Sequence, residues 1–299
     1  MTDRSALIGL GQMGLPIAHR LATRFDVLAF DISEERRSLA AQHERVEVTG
    51  ALEALADSSI LMLSLPTPAI SRQVLTDLAP ALAPGSVIIE TSTVLPQDVR
   101  AWQALVEPGG AHVIDAAILS GVAQMEEGRA TLLVGGAEGI VTSVAAVLAT
   151  IGGAGVQRLG ALGAGMAAKV VNNGVAHAVM VVLVEAFAMA KAEGLDLADV
   201  AAMLDREDGG LQRPLNHRIA QRVATGDFTG GMPLDAARKD SMLALAMAQG
   251  SGTPLFATQA AQTVYDLAVA GGLGRDDYAV IAKLWEQWTG DRLEFDGTP

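Results

Sequence analysis

Two sets of residues have the types and spacing to do chemistry. Gly9-Leu10-Gly11-Gln12-Met13-Gly14 follows an apolar run and opens a helical pattern. Gly9 permits a tight turn, Gly11 lets the backbone approach a pyrophosphate, and Gly14 lets a helix pack close on a strand. The helix entrance offers free N–H groups to phosphate. A GxGxxG alone is weak evidence, but Asp31 follows, at the end of a second run, DVLAF. An acidic residue at that distance accepts hydrogen bonds from the adenosine ribose hydroxyls and repels a 2′-phosphate, so NAD is favoured over NADP. A cap on the next helix is the competing role for Asp31. Arg36 and Arg37 are of a type that holds a 2′-phosphate, but inside that helix they read as solvated.

The second set is Lys169 and Asn173, four residues apart and so on one face of a long apolar helical stretch. A desolvated lysine has a lowered pKa and can cycle a proton near neutrality. A lysine that snorkels from a helix start is the commoner case, and the spacing alone favours it. Asn172 points about 100° away from Asn173. His177 lies one turn further along the same face, and lining a substrate pocket and bonding to backbone in the core are both open to it. The chain has no cysteine, which excludes disulfides, thiol catalysis and cysteine-ligated metals; no metal is expected.

The elements that must position these groups fall into two halves. Strand candidates lie at 5–9, 26–30, 59–65, 86–90, 112–116 and 131–135, with helical segments such as 12–23 and 96–106 between most of them. Continuous apolar runs such as ILMLSL fit strands buried on both faces of a parallel sheet. The alternation predicts a doubly wound α/β domain over 1–162. The glycine-rich RLGALGAG at 158–165 reads as a hinge or helix entrance, and no convincing strand follows it. Helices are expected at 166–191, 197–205, 212–225, 234–249, 256–270 and 277–289, giving an all-α domain over 163–299. A helix as apolar all round as 166–191 should be buried. The apolar surface of this half exceeds what one small domain covers, which points to a homodimer or homotetramer.

Half of the 299 residues are hydrophobic, aromatics are only 4%, and the formal net charge is −13. The size allows a large core and about two domains. The acidic balance argues against nucleic acid and anionic membranes as partners, while a small anionic substrate stays open because a site can be locally positive. The N-terminus runs straight into a strand pattern with no signal-peptide layout, so a cytoplasmic protein is expected. The most apolar stretch, 175–190, holds His177 and Glu185 and is short for a membrane span.

The segment GLGQMGLP at 9–16 resembles the opening of the β-hydroxyacid dehydrogenases, the family of 3-hydroxyisobutyrate, tartronate semialdehyde and 6-phosphogluconate dehydrogenases and of glyoxylate/succinic semialdehyde reductases. Later segments resemble the family in order: LSLP at 63–66, TSTVLP at 91–96, DAAILSGVAQMEEGRATLLVGG at 115–136, GAGMAAKVVNN at 163–173 and RKDSMLAL at 238–245. The likeness covers nearly the whole chain and implies an N-terminal Rossmann domain followed by a helical substrate and oligomerisation domain. It implies that Lys169 is the general acid/base and Asn173 its substrate-orienting neighbour, within a GxGxxxKxxxN frame. Leu65, Pro66 and Thr93 would lie in loops around the cofactor, although Thr93 also fits a turn or cap before Pro96. Lys239 would close over the cofactor and Asp240 would help hold the site, although such charges alone mark a solvated helix face.

One departure bears on the substrate. Most relatives read Asp-Ala-Pro-Val-Ser-Gly-Gly in the substrate loop, where the serine and glycines hold a carboxylate. From Asp115 this chain has Ala117, Ile118, Leu119, Ser120 and Gly121. Leucine stands at the serine position and the serine one place on. The apolar pair resembles imine reductases, which share the architecture but usually lack a lysine where this chain has Lys169. The resemblance thus implies an NAD-dependent oxidoreductase acting on a small β-hydroxyacid or its semialdehyde or oxo-acid, with an imine or carbonyl reductase as the alternative. A nucleotide-binding protein without chemistry is a third reading, opposed by the retention of Lys169 and Asn173.

Overall fold

The apolar runs of the first half pair into one eight-stranded sheet in the computed structural model, which describes residues 4–295. In chain order the elements are β1 (Arg4–Ile8), α1 (Gly14–Ala22), β2 (Asp26–Phe30), α2 (Glu34–Ala40), β3 (Val46–Thr49), β4 (Ile60–Leu63), α3 (Pro68–Leu78), β5 (Val87–Glu90), α4 (Pro96–Val106), β6 (His112–Ile118), α5 (Val122–Glu126), β7 (Thr131–Gly135), α6 (Glu138–Ser143), α7 (Ala145–Ile151) and β8 (Gly155–Gly160). The strand order is β3-β2-β1-β4-β5-β6-β7-β8. Neighbours run parallel except β6 and β7, which are antiparallel. Strand order reverses between β1 and β4, the place where doubly wound sheets bind ligands beyond their carboxyl ends.

Alternate residues of each strand face opposite sides. Leu7, Val27, Ala29, Met62 and Ile89 pack under Ile17 and Leu21 of α1. Ala6, Ile8, Leu61, Leu63 and Ile88 pack under Leu75 of α3 and Val99 and Trp102 of α4. Two covered faces explain why these strands read as unbroken apolar runs.

Two strands escape the sequence reading. β3 is only four residues long, and β8 runs into the segment expected to be hinge or helix entrance. Both are edge strands. Most of β8 is exposed, with Gln157 and Arg158 among its residues, so no apolar run marks it.

The chain divides into two compact units between Gly174 and Val175. The division falls inside α8 (Ala164–Ala192), which the sequence reading starts a new domain with. The second unit continues with α9 (Leu197–Asp205), a π-helical segment Pro214–Val223, α10 (Leu234–Ser251), α11 (Phe256–Ala270) and, after a 3-10 turn, α12 (Ala282–Thr289). Its core is small: Val223, Phe228, Leu234, Ala268, Ala279, Val280, Ala282 and Leu284. Buried Asp277 knots it, accepting the Met232 and Ala279 N–H groups and pairing with Arg218 at 3.2 Å.

The expectation that 166–191 would be buried is corrected. Val171, Val175, Met180 and Val184 stand 55–67% exposed. This helix is long and apolar enough, by length and composition, to cross a membrane. Its Glu185 is buried and caps α11, accepting the Ala257 and Thr258 N–H groups at 2.7 and 3.1 Å.

Candidate active site

Beyond the carboxyl ends of β1, β2 and β4 lies a cleft of about 530 Å³. Gly9, Gly11, Gln12, Met13, Asp31, Leu65 and Pro66, all singled out from sequence, line it together. Gly9 has φ +97°, and a Cβ there would run into the Ser64 carbonyl. Gly14 starts α1 against the carbonyl of Gly9, with no room for a Cβ. Gly11 is different: nothing lies within 4 Å of where its Cβ would stand. That open space beside a helix start is what a pyrophosphate requires, so the residues fit a dinucleotide.

Asp31 uses both oxygens on backbone. Oδ2 accepts the Leu10 N–H at 2.7 Å and Oδ1 the Ser33 N–H at 2.8 Å. Each carboxylate oxygen keeps a lone pair for a further donor. Helix α2 has its own cap, Ser33. Arg36 and Arg37 are not solvated as expected. Arg36 reaches back to the Leu10 and Gly11 carbonyls and lines the cleft, while Arg37 donates to the Asp31 carbonyl at 2.6 Å. A guanidinium offers five donors, and the carbonyls of the glycine turn, each with two lone pairs, are acceptors within its reach.

The loop after β4 is anchored by a residue that the sequence marks only as the neighbour of Thr93. Ser92 accepts the Leu65 N–H at 2.7 Å through its hydroxyl. Its own N–H donates to Oε1 of Glu90 at 2.7 Å. Glu90 is fully buried, and burial pushes its carboxyl up to about 7 against the opposing Ser92 and Ser71 hydroxyls. Thr93 itself is exposed and does not line the cleft.

At the end of β6, Leu119 packs with Leu65 against the sheet's α3/α4 side. Ser120 spends its hydroxyl on backbone, donating to the Leu119 carbonyl at 2.6 Å and accepting the Thr131 N–H at 3.1 Å. Gly121 is exposed and donates to the Gln124 side chain, closing the first turn of α5. On α8, Lys169 and Asn173 are both half-buried on one face, and burial pulls the Lys169 ammonium below the ordinary lysine range. The Asn172 amide leans toward Asn173, at 3.5 Å.

Three remaining candidates lie in the second unit. His177 is exposed. Lys239 is exposed on α10 and pairs with Asp240 at 3.0 Å. Asp240 also lines a cavity of about 610 Å³ with Arg218, Tyr265, Tyr278 and Trp285.

Residues 4–160 match the model of the NAD binding domain of 6-phosphogluconate dehydrogenase, and residues 163–285 match the NAD-binding model of NADP-dependent 3-hydroxyisobutyrate dehydrogenase. The 2-(hydroxymethyl)glutarate dehydrogenase of Eubacterium barkeri is 30% identical over 287 residues, 95% of each chain. The chain belongs to the β-hydroxyacid dehydrogenase family. A family member of known structure, Mycobacterium tuberculosis 3-hydroxyisobutyrate dehydrogenase with L-serine, is 28% identical over 95% of this chain and 99% of its own, with a TM-score of 0.65. An imine reductase from Pseudomonas sp. gives a TM-score of 0.85 over 95% and 100% of the two chains at 22% identity, a likeness of fold. The protein is accordingly an NAD(P)-dependent oxidoreductase of the family's architecture, a Rossmann sheet followed by a helical region.

Proposed function

We propose that this chain moves a hydride between NAD and a small β-hydroxyacid or its semialdehyde or oxo-acid, with Lys169 as general acid/base. The observation that carries the reading is the state of Lys169: half-buried, one turn before Asn173, with its ammonium destabilised by burial. Such a lysine gives its Nζ proton to a carbonyl oxygen as the carbon is reduced, and takes it back from the hydroxyl in the reverse direction. The Asn173 amide orients the same oxygen. The nicotinamide, when bound, supplies or accepts the hydride. Gly9, Gly11 and the start of α1 would hold the pyrophosphate, Asp31 the ribose, and Leu65 and Pro66 the wall of the cleft. Lys239 and Asp240 are assigned to the same reaction on the strength of the family motif.

A second reading, reduction of an imine or a carbonyl without a carboxylate, is favoured by one observation. Leu119 is apolar and packed, and the Ser120 hydroxyl beside it is engaged on backbone. Initial rates on a panel of hydroxyacids, semialdehydes and cyclic imines, with NAD(H) and NADP(H), decide between the two. Turnover confined to imines rejects the hydroxyacid reading.

The exposed apolar face of α8 is assigned to a second copy of the chain, as a homodimer or homotetramer. Glu185, fixed on α11 within the same unit, and the conspicuous Lys169 and His177 make a lipid-facing helix a poor alternative. Light scattering should give a dimer or larger, and a monomeric mass at micromolar concentration rejects the assignment.

A further inference from the structure

Asp115 stands in the middle of β6 among Val, Ile and Ala, and it is fully buried. A carboxylate stripped of water must find donors inside the protein. It finds them at the start of α8. Oδ1 accepts the Gly163 N–H at 2.6 Å and Oδ2 accepts the Met166 N–H at 2.7 Å. The Gly165 N–H also favours its charged form, against the burial that disfavours it. These are the donors that the first turn of a helix leaves unpaired, and an anion suits that end of the helix dipole.

The surrounding chain is trimmed to admit the carboxylate. A Cβ on Gly135, across the antiparallel pair from Asp115, would run into Oδ1. A Cβ on Gly165 would stand 2.9 Å from Oδ2 and overlap the Leu133 carbonyl. Helix α8 therefore lies directly on the sheet at this point, with Met166 buried in the same core as Val113 and Ala117. Lys169 follows Met166 by one turn of the helix. From Asp115, strand β6 runs on to Ile118, and Leu119 and Ser120 follow it directly. One buried carboxylate thus fastens the strand that leads into the 119–121 loop to the helix that carries Lys169.

We infer that Asp115 is a positioning residue, whose clamp on the first turn of α8 fixes Lys169 relative to the 119–121 loop. The inference rests on the proposed role of Lys169. An apolar contact at this point would be cheaper than a buried charge. A charged acceptor between two N–H groups gains direction instead: it sets the height and rotation of the helix start, which apolar packing fixes less sharply. Misplacement of a catalytic group by about 1 Å is enough to cost on the order of 10²-fold in rate.

The test is Asp115→Asn, which keeps the size but turns a donor toward one of the two N–H groups. Asp115→Ser is the second variant, smaller and with room for a water as acceptor, should the first fail to fold. In the folded variant kcat should fall ten- to a hundredfold with the Kd for NADH within twofold of wild type. The alkaline limb of carbonyl reduction should also move to higher pH, as Lys169 leaves its half-buried seat. Unchanged kcat overturns the inference. So does a parallel loss of NADH binding, Tm and kcat with the limb unmoved, which marks a purely structural role. Lys169→Ala, measured alongside, separates the two claims: full activity there removes the role of Lys169, whereas an inactive Lys169→Ala with normal Asp115 variants removes only the clamp.

Discussion

Asp31 is tied to Leu10: its Oδ2 accepts the Leu10 N–H at 2.7 Å, so the residue that ends β2 also shapes the glycine turn after β1. The same carboxylate sits on the wall of the cleft with its negative charge. Its two duties make different predictions when the side chain is changed.

The charge repels a 2′-phosphate, so NAD(H) should give the higher kcat/KM. Asp31→Asn should narrow that preference. It should also raise KM for both cofactors, because asparagine offers one acceptor oxygen where Asp31 uses two. Arg36, on the same wall, pulls the other way, and Arg36→Ala should widen the preference for NAD. A wild-type enzyme that prefers NADP(H) by tenfold, about 1.4 kcal/mol, rules the assignment out.

Lys169→Ala should leave NADH binding nearly intact and cut kcat by a factor on the order of 10²–10⁴, the usual worth of a general acid/base. Lys169→Arg should not rescue it, since guanidinium does not release its proton. The sign of the pH dependence follows from the lowered pKa. Carbonyl reduction needs the protonated amine, so its rate should fall as pH rises through a value below the ordinary lysine range. Alcohol oxidation needs the free amine and should rise over the same interval. Rates that keep half of wild-type activity in Lys169→Ala end the case for this helix.

Much of this site was legible because local rules carry it. The glycine turn has one workable sequence pattern, and the i, i+4 spacing of Lys169 and Asn173 survives any tertiary context that keeps α8 helical. What escaped was set by distance in the chain. Nothing near Arg36 announces that its guanidinium folds back to the Gly11 carbonyl, 25 residues earlier. Ser92 and Leu65 lie on different loops and meet only because β4 and β5 are neighbours. The edge strand β3 is too short for an apolar run to stand out, and β8 lacks one because water covers most of it. The burial expected of α8 failed because apolar composition alone does not say whether the fold of one chain covers a helix.

Glu90 should make stability fall as pH rises toward neutrality. Its carboxyl is pushed from an ordinary 4.5 to about 7 by burial. Below about pH 4.5 the folded and unfolded chains both hold the proton, and this group costs the folded state nothing. Between 4.5 and 7 the unfolded chain loses the proton while the folded chain keeps it, so stability declines. Above 7 the charge is buried in the folded state, a loss on the order of 3 kcal/mol. Glu90→Gln cannot ionise and should be more stable than wild type at pH 8, by up to several degrees in Tm, with little difference at pH 5. A Gln variant that melts lower than wild type at pH 8 would show that the ionised form is held by more than the Ser92 and Ser71 contacts.

The loop after β6 makes the sharpest statement about substrate. By the family motif Leu119 stands where relatives carry a serine hydroxyl, and the neighbouring Ser120 hydroxyl donates to the Leu119 carbonyl. A carboxylate bound there must be met by backbone N–H groups or must draw Ser120 away from that carbonyl, because an unpaired buried anion is costly. The simplest family substrates, 3-hydroxyisobutyrate and tartronate semialdehyde, should therefore be turned over poorly. Leu119→Ser should raise kcat/KM for them by up to about tenfold, the worth of one hydrogen bond to a charge. Ser120→Ala should lower activity on the preferred substrate if the hydroxyl turns to hold an acid. If the substrate instead presents an apolar group to Ile118 and Leu119, Ser120→Ala should lower Tm through the lost Thr131 contact and leave kcat/KM unchanged. Efficient wild-type turnover of 3-hydroxyisobutyrate with no response to Leu119→Ser would show that this loop does not select the substrate.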